Sequence, residues 1–223
     1  MTSRPRARHV LRSAVAALVV ALSACTSSAQ TSAGPPSSGP ASIAGSSSTV
    51  RPPSAAAAST PFGPGCAALR SPGGGNLEAA AGEPVTTAAA HDLALGSLVV
   101  ALARAQLADS VDSQQDVTVL APANTAFAAV PRSSLTPLLS DTARLTRLLT
   151  HHVLEGRLTP GQFAGTHTTL ANDTVTITGA GETFAISSGQ TLLRSKPAAV
   201  ICGNIRTANA TVYIVDQVLA PQG

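Results

Sequence analysis

The hydrophobic pattern divides the chain into three stretches with different periods. Residues 10–22 form a mainly apolar run, interrupted only by Arg12 and Ser13, and residues 26–61 carry no apolar period at all. From about residue 63 to residue 150, apolar residues recur three or four positions apart, which is typical of helices that cover a core. Beyond residue 168 the apolar runs become short and are separated by glycine, proline and asparagine, which indicates strands and turns.

The helical stretch predicts a series of short helices. The leucines between residues 93 and 107 lie mostly on one helical face, and Asp92 stands where an N-cap is expected. Four further helix starts follow from cap residues and apolar spacing, at Asn124, near Leu135, at Asp141 and at Thr159.

The late stretch predicts strands. An early strand is also expected over 117–120, because Val117 to Leu120 is a short β-branched apolar run that Pro122 cannot extend. The late strands are expected at 168–170, 174–178, 183–186, 191–193, 198–201, 205–207 and 211–218. Helices early and strands late predict an α+β domain, with the conformation of 187–197 left open.

The amino terminus has the pattern of an export signal. Four arginines precede or enter an apolar run that is shorter than the roughly 20 residues of a membrane span. The sequence Leu22-Ser-Ala-Cys25 resembles a bacterial lipobox, which predicts a signal peptide over 1–24 and a Cys25 that carries diacylglycerol and further acyl chains such as palmitate. The alternative is an ordinary signal peptide with a chance cysteine.

The segment 25–62 is predicted to be a tether. It consists mostly of Ser, Thr, Ala, Gly and Pro with one charge, Arg51, so it cannot bury enough apolar surface to order itself. It is either a plain spacer or a substrate for O-glycosylation. Four of the 14 basic residues lie before Cys25 and none of the 11 acidic ones does, which leaves 10 against 11. This balance, with no basic stripe and few aromatic residues, argues against a nucleic-acid partner.

Two cysteines remain once Cys25 is assigned to the anchor. Cys66 and Cys202 are an even pair in an exported chain, and we expect a disulfide between them. The alternatives are two free thiols or a metal site, and the latter would need further ligands that the sequence does not offer.

Two segments carry a family resemblance. The first signature is matched by Thr118, Val119, Ala121, Pro122, Asn124, Ala126 and Phe127. The second lies near the C-terminus and includes Thr211, Tyr213 and Asp216. Both segments resemble the signatures of fasciclin domains. The surroundings of Cys66 and Cys202 are similar to the secreted and lipid-anchored fasciclin immunogens of actinobacteria.

The resemblance implies a fold and a boundary. It implies one fasciclin domain over 63–223, built as a compact β-sandwich or wedge with helices packed along one edge. The two signature strands would lie side by side in its centre.

The resemblance also points to one candidate binding site. His151-His152 stands where many animal fasciclin domains have Tyr-His, a position implicated in integrin adhesion. We expect one of these rings to be buried and hydrogen-bonded and the other to line the surface. A metal role with Glu155 is disfavoured, because adjacent side chains on a strand point to opposite faces.

No pattern predicts catalysis. There is no nucleophile elbow, no phosphate-binding glycine loop before a helix, and Ser195-Lys196 lacks the spacing of the Ser-x-x-Lys acylases. The acids Asp173, Glu182 and Asp216 are ordinary turn and strand-end residues. We therefore expect a non-enzyme with no cofactor and no metal.

The expected function follows from the anchor, the tether and the resemblance. We expect a monomeric bacterial surface antigen, held by its lipid on the outer face of the cytoplasmic membrane. There it would present one domain for adhesion to, or recognition of, an unidentified protein or glycan. The alternative is a carrier of a small ligand or lipid, with a cavity between the sheet and the helices.

Overall fold

The computed structural model describes residues 60–69 and 77–222, and all of these belong to one compact unit. The predicted signal peptide, Cys25 and the linker up to residue 59 lie outside the described residues. Phe62 is 7% exposed and forms a backbone bridge to Gly203. Ordered packing therefore already includes Phe62, just before the predicted boundary at 63.

The described residues contain eight helices, most of them short. They are α1 (Cys66–Leu69), α2 (Leu77–Ala80), α3 (Val85–Ala90), α4 (Gly96–Ala105), α5 (Ala108–Ser113), α6 (Asn124–Ala129), α7 (Arg132–Ser140) and α8 (Thr142–His151). The cap prediction at Asp141 is confirmed, since its side chain accepts a hydrogen bond from the Arg144 amide at 3.0 Å.

Two of the helix predictions were wrong in detail. The Asp92 carboxylate accepts from the Ala94 amide at 2.8 Å and so closes a turn, and α4 begins only at Gly96. At Thr159 a turn forms in place of a helix: the Gln162 amide donates to Thr159 O at 2.9 Å, and the Gln162 side chain accepts from the Thr159 hydroxyl at 2.8 Å.

Seven strands form one sheet in the described part. They are β1 (Val117–Pro122), β2 (Val153–Leu154), β3 (Gly165–Thr168), β4 (Thr174–Ala180), β5 (Thr183–Ile186), β6 (Ala198–Arg206) and β7 (Ala210–Val215). Their order in the sheet is β2-β1-β7-β6-β5-β4-β3. The two edges meet where Leu154 bridges Thr169 and the Glu155 amide donates to Thr168 O at 3.0 Å. The sheet therefore curls back on itself.

The signature strands are neighbours, as predicted. β1 and β7 pair in parallel, with Val117 opposite Ala210 and Pro122 opposite Val215. Both strands are buried along their whole length, which explains why each reads as a continuous apolar run. The predicted α+β fold is confirmed, with the helices on one side of the sheet.

The late strands differ from the prediction in two places. Residues 198–206 form one long strand with register shifts between Val200 and Ile205, where two separate strands were expected. Residues 191–193 are not a strand: a 3₁₀ turn covers Ser188–Gln190, and Thr191 makes a single bridge to Leu219.

The alternation of side chains along β1 and β7 separates two cores. Leu120 and Tyr213 point into the curled sheet, where they meet Phe163 and Phe184. Val119, Ala121 and Val212 point the other way and pack under the helices. We call the first cluster the sheet interior and the second the helix–sheet core.

Candidate functional site

The predicted histidine site is buried. His151 is 0% and His152 is 2% exposed, so the expectation that one ring lines the surface was wrong. His152 lies just after α8, where its Nδ1 donates to Leu148 O at 2.8 Å and its Nε2 accepts from the Leu219 amide at 3.0 Å. Burial lowers the pKa of His152 to about 4. This ring is therefore a neutral tie between α8 and the segment after β7.

His151 is tied to a carboxylate. Its Nδ1 lies 2.6 Å from Asp173 Oδ1, while its Nε2 has no partner among the described residues. Burial by itself would raise the pKa of Asp173, but hydrogen bonds from Thr169, His151 and the Gln222 amide outweigh it and hold that pKa below its ordinary value. The pair fastens α8 to the turn between β3 and β4 and offers no exposed group to a partner.

Several signature residues hold loops onto the strands. The Thr118 hydroxyl donates to Gly156 O at 2.7 Å and accepts from the Leu158 amide at 2.8 Å. Tyr213 donates to Leu158 O at 3.2 Å, and its ring stacks on Phe163 with centroids 3.7 Å apart. Burial raises the pKa of the Tyr213 hydroxyl. These groups support the sheet interior from its ends.

The other signature residues also act within the fold. Asp216 accepts from the Ala199 amide and pairs with Lys196, both at 2.7 Å. Thr211 lies opposite Thr118 across the β1–β7 pair. Phe127 is 5% exposed in the helix–sheet core, and Pro122 ends β1.

Asn124 caps a helix other than its own. Its Oδ1 accepts from the Ser97 amide at 2.7 Å and its Nδ2 donates to Leu93 O at 2.6 Å. One of the free amides at the start of α4, that of Ser97, is thus satisfied by a residue 27 positions later. The prediction that Asn124 caps α6 was wrong, because α6 has no side-chain cap and Asn124 is its first residue.

The two domain cysteines are bonded to each other. The Sγ atoms of Cys66 and Cys202 join α1 to β6 across a sequence separation of 136 residues. Both cysteines lie in the helix–sheet core.

A groove runs along the outer side of the helices. Its walls come from α4, α6 and α7, its volume is about 380 Å³, and it is lined by Gly96, Ser97, Val100, Asn124, Phe127, Leu135 and Leu139. Val100, which lines the groove, is 53% exposed, and Leu93, in the turn before α4, is 73% exposed. Large apolar side chains so exposed are characteristic of interaction surfaces when they cluster beside a groove.

A second space lies inside the helix–sheet core. It is a cavity of about 340 Å³ between α3, α4 and the outer face of β1 and β7. Alanines make up much of its wall, including Ala88, Ala89 and Ala121. α3 has the sequence Val-Thr-Thr-Ala-Ala-Ala, and its short side chains do not fill the space between this helix and the sheet. The exposed side chains of Ala79 and His91 mark where the cavity reaches solvent.

Remote side chains hold α3 in that place. The Val85 amide at its start donates to Asn209 Oδ1 at 2.9 Å, and the Thr86 amide donates to Asp112 Oδ1 at 3.0 Å. The Asn209 amide group in turn donates to three carbonyls at the end of α5, those of Val111, Asp112 and Gln114. The lining helix is therefore fixed at its N-terminus by the β6–β7 turn and by α5.

Two carboxylates, Asp92 and Glu83, line the cavity, and Asp92 is the more deeply buried. Asp92 is 6% exposed, and among the described residues only the Ala94 amide donates to its carboxylate. Burial raises the pKa of Asp92, and the hydrogen bond from Ala94 counters this only in part. Glu83 and His91 stand at the opening with 3.9 Å between Oε2 and Nε2.

The cavity is too large to be a sealed void. At about 24 cal/mol per Å³, an empty enclosed cavity of 340 Å³ would cost roughly 8 kcal/mol. That is comparable to the whole net stability of a domain, about 5–15 kcal/mol. An apolar wall also binds water weakly. The space is therefore suited to a ligand.

Sequence reasoning singled out Asp92 only as a cap and gave α3 no role. A signal was present in the run Ala88-Ala89-Ala90, since three adjacent alanines before an apolar helix leave room against a sheet. Leu93 was expected to pack on the core with the other leucines of 93–107, and its exposure shows that this prediction was wrong; Val100 was assigned to neither face.

Two further observations concern the described residues alone. Within 60–69 and 77–222, no group of three or more His, Cys, Asp and Glu side chains is placed to hold a metal ion. No helix in that part of the chain combines the length and the apolar character that crossing a membrane requires.

Comparison with known proteins gives consistent matches. The family model of the Fasciclin domain matches residues 94–221. The chain is 37% identical to the immunogenic protein MPB70 of Mycobacterium bovis over 180 residues, which is 77% of this chain and 87% of that protein. It is 35% identical to the cell surface glycolipoprotein MPB83 of the same species over 168 residues, 72% of each chain.

A solved structure, the FAS1 domain pair of the insect cell adhesion molecule fasciclin I, aligns with a TM-score of 0.44 at 22% identity. The alignment covers 56% of this chain and 45% of that one.

Proposed function

The chain belongs to the fasciclin family, and from this premise we propose that it is a lipid-anchored envelope protein whose one fasciclin domain recognises another protein at the cell surface. Two features support the envelope location. The relative MPB83 is named a cell surface glycolipoprotein, and residues 22–25 of this chain have the lipobox pattern. Cys25 would carry the anchor, and the following linker would hold the domain away from the membrane.

The observation that carries the recognition role is a pair of exposed apolar side chains, one of them in the groove. Leu93 lies in the turn before α4 and Val100 on the outer side of α4, and both are more than half exposed. Burying such side chains against a partner would contribute about 25 cal/mol per Å² of apolar surface. These two exposed side chains are thus a favourable centre for an interface with a partner protein.

Basic residues flank the groove on both walls. Arg104 follows Val100 by one helical turn on α4, and Arg132 precedes Leu135 by three positions on α7; both arginines are exposed. Arginine beside exposed aliphatic side chains is typical of protein interfaces. The partner that fits is therefore a protein that presents apolar side chains flanked by carboxylates.

The proposal includes no catalytic step. His151 and His152, the pair that the family resemblance points to, are buried and have roles in the fold. The relatives are named for antigenicity and for surface location, and neither name states a reaction.

The test begins with the anchored protein in its own envelope. Proximity labelling should identify neighbours, and Val100→Asp and Leu93→Asp should each reduce capture of the partner by tenfold or more without changing the melting temperature. Arg104→Glu should slow association and weaken its dependence on salt. Ser195→Asp, at an exposed position in the loop before β6, is the matched control and should bind like the native protein.

Two results would refute the proposal. One is that removal of the folded domain, with the anchor and linker kept, leaves partner capture unchanged. The other is that the groove variants and Ser195→Asp bind alike.

A further inference from the structure

The cavity under α3 has the form of a small-molecule site. Its volume of about 340 Å³ lies within the range of roughly 300–1,000 Å³ that ligand pockets occupy. It is lined mainly by apolar side chains from α2, α3, α4, α5 and α8 and from the sheet, and one end reaches solvent beside His91. This space is separate from the outer groove, since the two share no lining residue.

The polar groups in the wall are few, and most are already engaged. Both ring nitrogens of His152 are bonded to the backbone, and the Thr207 hydroxyl donates to Ala210 O and accepts from the Ala210 amide. Thr86 donates to Asp112. Asp92 is different: it is 6% exposed, and only the Ala94 amide donates to it within the described part of the chain. It therefore retains capacity to accept a further hydrogen bond.

The charges around the cavity favour a ligand whose polar group donates hydrogen bonds. Asp92 inside and Glu83 at the opening are both acids, and His91 is the only basic side chain of the described lining that stands near them. A carboxylate or phosphate head would meet like charge in a site with little water. An amine or a hydroxyl would instead donate to Asp92.

We propose that this cavity binds an elongated apolar molecule whose single polar end is an amine or a hydroxyl, with that end donating to Asp92. The apolar body lies along the alanine-lined wall between α3 and the sheet. This site is additional to the protein-recognition surface, and each can exist without the other.

The test uses three probes that share one chain and differ in the head: dodecylamine, 1-dodecanol and dodecanoic acid. Each is titrated below its critical micelle concentration into the whole purified protein, with binding followed by native mass spectrometry and by displacement of a fluorescent apolar dye. Dodecylamine and 1-dodecanol should bind with one-to-one stoichiometry, and dodecanoic acid should bind at least tenfold more weakly.

Three variants locate the binding. Ala89→Leu places a larger side chain in the wall and should weaken binding of every probe by tenfold or more. Asp92→Asn keeps the shape and should reduce the preference for dodecylamine over dodecanoic acid to less than threefold. Val100→Asp alters the outer surface only and should bind all probes as the native protein does, which separates this site from the recognition surface.

The proposal is overturned by any of three results: no probe binds, the three heads bind alike to the native protein, or Ala89→Leu binds as tightly as the native protein. Because Ala89→Leu adds volume, its melting temperature is measured alongside. If it fails to fold, Leu102→Phe, from the α4 wall of the cavity, takes its place.

Discussion

The sheet interior and the helix–sheet core are built from different residues and leave different amounts of space. In the sheet interior, Phe62, Phe163, Phe184 and Tyr213 interlock, with the Phe163–Tyr213 rings stacked at 3.7 Å and the Phe163–Phe184 rings edge to face at 5.0 Å. The helix–sheet core has one phenylalanine, Phe127, together with many alanines, and it contains the cavity.

The difference shows that one small domain can separate its stability from its capacity to bind. A few large aromatic rings are enough to fill the interior of the curled sheet. Their offset and edge-to-face contacts stabilise the packing beyond what the buried area contributes. A layer of short alanine-containing helices covers a sheet without filling the space under it. The interior that holds the fold together is thus distinct from the one that has room for a ligand.

Removal of the disulfide should have the largest effect and should act on the helix–sheet core first. Replacing Cys66 and Cys202 together with serine opens a loop of 136 residues, and the chain-entropy model gives a loss of up to about 5 kcal/mol in the free energy of unfolding. Urea unfolding measures the total. Hydrogen exchange should show α1 and the adjacent part of β6 losing more protection than β4 and β5, and equal losses would contradict the distinction between the cores.

Truncation of one aromatic ring in each core sharpens the comparison. Phe163→Ala should lower the free energy of unfolding by about 3–5 kcal/mol, because Phe163 is 0% exposed and its neighbours cannot collapse into the gap. Phe127→Ala should be less costly, since Phe127 also borders the outer groove and solvent can enter the gap. Circular dichroism in urea gives both values. The comparison fails if Phe127→Ala is the more damaging change.

Acid should weaken the connection between α8 and the end of β7 through His152. Its pKa is about 4 in the folded protein against an ordinary 6.5, so the unfolded chain takes up the proton first. Stability should therefore decrease as pH falls from about 6.5 to about 4, by about 3 kcal/mol in all. Asp173, whose pKa is lowered, contributes a separate loss only below its ordinary value of 3.8.

The variant His152→Gln should flatten the pH dependence between 6.5 and 4 in urea titrations. His91→Gln, at an exposed histidine, is the control and should leave it intact. A slope that survives in His152→Gln would assign the effect to another group.

The smallest effect comes from one substitution made in each core. Ala198→Leu in the sheet interior should cost about 1–3 kcal/mol, because Ala198 is 1% exposed among packed rings. Ala89→Leu borders the cavity and should be neutral or stabilising by up to about 1 kcal/mol, since the added methyl groups enter existing space. Thermal unfolding distinguishes the two, and losses of the same size would mean that the cavity wall is as tightly packed as the sheet interior.

The sequence was most informative where one element determines its own structure. Val117 to Leu120 and Thr211 to Val215 predict buried strands from their apolar runs, and the Asp141 cap is read from local spacing. The family resemblance added what no local pattern contains, namely that those two strands are neighbours.

The remaining features depend on contacts between distant residues. Asn124 and Asn209 each cap a helix far away in the chain, and a cap is recognisable in a sequence only when it precedes its own helix. The burial of both histidines depends on Leu219 and Asp173, which lie in other elements. The cavity depends on the distance between α3 and the sheet, which no residue of α3 sets by itself.

The position of β7 in the sheet has a consequence for how the chain acquires its structure. Its residues come late in the sequence, yet the strand stands between β1 and β6 and supplies a wall to both interiors. While the chain is synthesised from its N-terminus, the central strand of its sheet is therefore missing until nearly all of the chain has been made. Such a chain should fold late, by a slow search for one long-range parallel pairing.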